Sequence, residues 1–100
     1  MLRTMPSAEE LSRLVTPDIL AAQGFKKPKK VVVTEGTDST GDEAYYVWIV
    51  YPDSTPQKEL SLRNTSPLQN WIREQISGVA GEDRYVYVMI KQVSHAPSYI

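Results

Sequence analysis

Residues 34–51, TEGTDSTGDEAYYVWIVY, decide the fold. The first ten are polar and carry Gly36 and Gly41 among Asp, Ser and Thr, the composition of a turn. From Ala44 to Tyr51 the chain is apolar and aromatic without a charge, which reads as the central strand of a sheet. Upstream, Val31-Val32-Val33-Thr34 is a β-branched run and a first strand. Two strands around a glycine-containing connection over residues 35–43 predict an antiparallel hairpin. Pro52, which has no N–H to give a ladder, ends the second strand.

The flanks supply helices. Ser7 and Glu10 form an S-x-x-E capping box, followed by Leu11, Leu14 and Val15 at helical spacing. Thr16-Pro17-Asp18 reads as a fresh start, so a kinked helix or two short ones are predicted, closed at Gly24. Downstream, Ser66-Pro67-Leu68-Gln69 reads as a second helix start. Leu68, Trp71, Ile72, Ile76 and Val79 share one face, and Gly78 and Gly81 end the helix. Residues 84–91 form the last strand. Residues 57–63 contain the alternating Leu60-Ser61-Leu62 and are assigned to a short edge strand over a helix. Residues 1–5 and 94–100 read as flexible tails.

One hundred residues make one domain. The expected architecture is α+β: a small two-layer sandwich with a three- to four-stranded, mainly antiparallel sheet and two helices on one face, in the order α-β-β-(β)-α-β. Net charge is −1, no electrostatic footprint for nucleic acid or an anionic membrane. Without cysteine there is neither disulfide nor thiolate metal site. No run is long enough to span a membrane, and residues 1–10 lack the apolar stretch of a secretory signal, so a cytoplasmic protein is expected.

Alternation carries the functional reading. Tyr45, Val47, Ile49 and Tyr51 fall on one face of the second strand, and Ala44, Tyr46, Trp48 and Val50 on the other. In the last strand Val86, Val88 and Ile90 oppose Tyr85, Tyr87 and Met89. Both faces are apolar, yet the helices can cover one. With the aliphatic sets under the helices, Tyr46, Trp48, Tyr85, Tyr87 and Met89 form an interaction surface; for either strand the assignment could be reversed. The other reading has the tail and residues 54–64 fold over those rings.

Other chemistry is weaker. Glu35, Asp38, Asp42 and Glu43 cluster around one turn, which suits oxygen ligation of Mg²⁺ or Ca²⁺, but solvated turn acids explain them as well, and no metal or other cofactor is expected. His95 is the one histidine and lies in the tail, and Ser39 and Thr40 have no evident base, so no catalytic residue is assigned. No nucleotide-binding glycine motif occurs. Lys26, Lys27, Lys29 and Lys30 beside sheet aromatics follow the logic of a single-stranded nucleic-acid binder, or else keep a β-rich edge soluble.

Asp38-Ser39-Thr40-Gly41-Asp42-Glu43-Ala44, followed by Tyr45-Tyr46-Val47-Trp48-Ile49-Val50, resembles a pattern in small bacterial proteins of unassigned function, where such an acidic turn precedes an aromatic strand. The resemblance implies a small bacterial cytoplasmic protein and no catalytic residue. The expected function is a non-enzymatic interaction module that homodimerises or serves a larger protein as an accessory subunit. The alternatives are the nucleic-acid binder on residues 26–30 and a metal-dependent enzyme on the 35–43 loop.

Overall fold

In the computed structural model, which describes residues 6–81 and 84–100, two capped turns open the chain. The tail expected over residues 1–5 lies outside the described residues. Helix α1, Ala8–Ser12, is capped by Ser7, whose hydroxyl accepts from the Glu10 N–H at 3.2 Å. Helix α2, Pro17–Ala22, is capped in the same way by Thr16, with Pro17 at the first position, where a missing donor costs nothing. Gly24, at φ 90°, lets the Phe25 N–H turn back to the Leu20 carbonyl.

Strand β1, Lys30–Thr37, and strand β2, Glu43–Tyr51, form the hairpin in antiparallel register, with Val33 opposite Val47. Helix α3, Leu62–Ala80, returns the chain to strand β3, Tyr85–Gln92, on the other side of β2. A helical crossover delivers its strand parallel, and β3 pairs parallel with β2. The α+β class, the α-β-β-α-β order and the helices on one face stand as expected from the sequence. The balance of pairings is corrected: the sheet is three-stranded and mixed, with one antiparallel and one parallel pair.

Residues 57–63 also depart from expectation. They form a 3₁₀ turn, Gln57–Leu60, and then the start of α3. The apparent alternation misleads because Leu60 packs against the core while Leu62 is 73% exposed. The true cap is Ser61, whose hydroxyl accepts from the Asn64 N–H, while the Asn64 side chain donates to the Lys58 carbonyl at 2.6 Å. Pro67 therefore lies inside the helix rather than at its first position.

The core lies between the helices and one face of the sheet. Leu11, Val15, Leu20, Leu68, Ile72 and Ile76 meet Val33, Val47, Ile49 and Val86. Fully buried side chains of this kind contribute about 1.5–3 kcal/mol each. Ala80 rather than Val79 closes the apolar face of α3, and Val79 faces solvent. Tyr45 and Tyr51 also point inward, and each places its hydroxyl on a carbonyl: Tyr45 on Pro6 at 2.9 Å, Tyr51 on Lys26 at 2.8 Å. Burial raises both phenols above the ordinary tyrosine value.

Candidate functional site: the aromatic sheet face

The face turned away from the helices is built in rows across three strands. Gly36, Ala44 and Tyr85 form the first, Thr34, Tyr46 and Tyr87 the second, Val32, Trp48 and Met89 the third, and Lys30, Val50 and Lys91 the fourth. Tyr46, Trp48, Tyr85, Tyr87 and Met89, the surface read from the alternation, thus form one contiguous patch on β2 and β3. Tyr85 is 58% exposed, and the other four are half-buried.

The rings hold one another in place. Tyr46 and Tyr87 stack with centroids 5.2 Å apart and planes 15° from parallel, and Tyr85 leans on Tyr87 at 4.6 Å. Such pairs are worth about 0.5–1.5 kcal/mol beyond their buried area. Gly36 seats the stack: a Cβ there would come within 3.2 Å of the Tyr46 ring. The Tyr46 hydroxyl donates to the Thr37 carbonyl at 3.0 Å.

The acidic turn is wired to this face. Asp38 Oδ1 accepts from the Thr40 N–H and hydroxyl and from the Asp42 N–H, and Gly41 takes φ 85° to close the loop. Asp38 Oδ2 accepts from the Tyr87 hydroxyl at 3.3 Å. The Thr40 hydroxyl is the main cause that lowers the Asp38 pKa. Partial desolvation, and then the nearby Asp38 charge, raise Tyr87. Glu35 and Glu43 point to the helical side instead, where Arg84 donates to both at 2.9 Å and lies over the Tyr45 ring. The four acids are thus divided between two structural tasks. Among the described residues no group of three or more His, Cys, Asp or Glu side chains is placed to hold a metal ion.

The opposite end of the face is basic and partly covered. From β3 the chain makes a 3₁₀ turn, Val93–His95, and crosses this end of the sheet until the Ile100 carbonyl accepts from Lys30 Nζ on β1 at 2.6 Å. Val50, in that row, is fully buried. Residues 57–60 lie toward the helices, where Glu59 pairs with Lys26. Of the lysine cluster, Lys26 and Lys27 make exposed ion pairs with Glu59 and Asp18, Lys30 holds the C-terminal segment, and Lys29 is exposed. His95 is exposed in the final turn.

Sequence reasoning missed Gly36, Arg84 and the Asp38–Tyr87 contact. Gly36 alone left a signal, since glycine within a strand marks close approach by another group. Comparison of the chain with known protein families, curated proteins and solved structures finds no match. No helix among the described residues is long and apolar enough to cross a membrane.

Proposed function

We propose that this chain is a non-enzymatic interaction module that takes a protein partner on the aromatic face of its sheet. The observation that carries the proposal is the contiguous patch of Tyr46, Trp48, Tyr85, Tyr87 and Met89 on a face without helical cover. Aromatic residues and Met are the types enriched where proteins meet.

Size bounds the mode of binding. Three strands at about 4.8 Å spacing and the three uncovered rows at about 6.8 Å each give a footprint on the order of 300 Å². That is the scale of a functional surface patch, and well short of the about 800 Å² per partner of a standard stable interface. The face suits a transient partner, or one that also engages the acidic turn and the C-terminal segment at its two ends.

The single-stranded nucleic-acid reading draws less support, because Lys26 and Lys27 are paired with acids and lie apart from the rings. The metal-dependent-enzyme reading draws less still, because Arg84 and the turn itself engage the carboxylates of the loop.

The test is affinity capture from the native host with the wild-type chain and with a Trp48→Ala/Tyr87→Ala variant shown by circular dichroism to be folded. A protein retained by the wild type and lost from the variant is the expected result. Equal capture by both, or capture by neither with a monomer in equilibrium sedimentation, would overturn the proposal.

A further inference from the structure

We infer that the open edge of β3 pairs with the same edge of a second copy, antiparallel and centred on Met89, to make a continuous six-stranded sheet. This goes beyond the binding of a partner on the aromatic face and uses different groups, the backbone of an edge strand.

Among the described residues, the sheet order leaves one side of β3 without a neighbouring strand. Two contacts show which residues point there. The Val86 carbonyl accepts from Arg73 Nε at 3.2 Å, and the Gln92 carbonyl accepts from the Ala96 N–H at 3.1 Å, both outside the ladder with β2. In a parallel strand a residue directs its N–H and C=O to the same side, and successive residues alternate. Val86, Val88, Ile90 and Gln92 therefore face the edge, and Tyr85, Tyr87, Met89 and Lys91 bond to β2. The carbonyls at both ends of the edge are taken. Between them the N–H and C=O of Val88 and Ile90 make no hydrogen bond with any described residue. Beside Ile90, Lys91 and Gln92 lies an open cleft of about 400 Å³, walled on its other side by Gln57, Lys58, Leu60 and His95.

This window selects its own image. Set antiparallel about Met89, Val88 exchanges two hydrogen bonds with Ile90 of the partner subunit, and Ile90 exchanges two with Val88 of the partner subunit. All eight open groups are used. Shifting the pairing by one repeat in either direction would require the Val86 or the Gln92 carbonyl, which Arg73 and Ala96 already occupy. The twofold joins β3 to β3 and closes the assembly, whereas a head-to-tail pairing of β3 with the β1 edge of the next copy would leave a new β3 edge open. The side chains agree with the register: Val88 meets Ile90 on the helical side, and Tyr87 meets Lys91 on the aromatic side, an arrangement that favours an ammonium over a ring. An apolar edge without proline or an inward charge is otherwise an aggregation site.

The chain has no cysteine, which makes the test clean. On the axis, Met89 faces its own copy in a non-hydrogen-bonded pair, where Cα atoms lie about 4.5 Å apart, within disulfide range. Met89→Cys should give a covalent dimer under mild oxidation, at least ten times faster than Trp48→Cys or Tyr87→Cys. Hydrogen exchange on the unmodified chain gives a second readout. The Val88 and Ile90 amides should slow at least tenfold from low micromolar to millimolar concentration, with those of Tyr87 and Met89 unchanged. Cross-linking that favours Trp48→Cys would point to face-to-face association and overturn the inference. So would a Met89→Cys chain that stays monomeric, or Val88 and Ile90 exchange rates independent of concentration.

Discussion

Replacing Pro67 by alanine should make the protein more stable. Pro67 sits six residues into α3, exposed to solvent, where its ring leaves the Arg63 carbonyl without its helical donor. Proline in a helix interior is about 3 kcal/mol worse than alanine. Part of that is already relieved, because Arg63 is exposed and water can reach its carbonyl. The Ser66 hydroxyl also returns to the Leu62 carbonyl at 2.7 Å and supports the same turn. Against the gain stands the freedom that alanine restores to the unfolded chain, about 0.4–1 kcal/mol. The expected net gain is about 1–2 kcal/mol, which in a chain of this length raises Tm by about 5–15 °C. Urea unfolding followed by circular dichroism, with the denaturant slope unchanged, reads it directly. A neutral or destabilised variant would refute the reasoning. It would mean that the helix begins at Pro67, where the ring occupies the first position and alanine has nothing to repair.

Tyr51→Phe should cost about 1 kcal/mol by the same assay, since it leaves the Lys26 carbonyl without its hydroxyl donor. The buried Tyr51 phenol has a raised pKa, so its contribution is present below the unfolded value near 10 and is lost as pH rises from there toward the folded value; absorbance titration should show it ionising late. Asp38, Asp18 and Asp53 are held below the ordinary carboxylate value by Thr40, Lys27 and Ser94 respectively, so they stabilise the fold above about pH 4 and lose that effect as pH falls through their folded values. Asp38→Asn should flatten the acid limb of the stability profile and loosen Tyr87, seen as a change in near-ultraviolet circular dichroism. Titration with a single-stranded oligonucleotide at low salt should show no binding, and a steeply salt-dependent complex would restore the nucleic-acid reading.

The sequence was most legible where structure is set locally. Ser7, Thr16 and Gly24 act through neighbours within four residues, and their roles follow from type and spacing. The two faces of β2 were legible because alternation is a property of the strand alone. The start of α3 was not, because Ser61 shares the work with Asn64 and Lys58, and the Ser66-Pro67 pair offered a stronger but incorrect signal. Nor was the parallel pairing of β3, which rests on contacts between segments about 40 residues apart in the chain. The Tyr87–Asp38 bond and the Arg84 fork join residues 49 and 41 positions apart, beyond the reach of any local pattern. The covered fourth row was legible only in outline: the C-terminal segment crosses one end of the aromatic face, while residues 57–60 lie on the other side.

The most direct measurement places a photo-cross-linking amino acid at Tyr85, on the aromatic face, and separately at Leu62, which is more open to solvent but lies on α3. Irradiation in the native host is expected to trap a discrete protein adduct at position 85 and none at position 62. Adducts of equal yield at both positions, or at position 62 alone, would contradict a binding role for the rings.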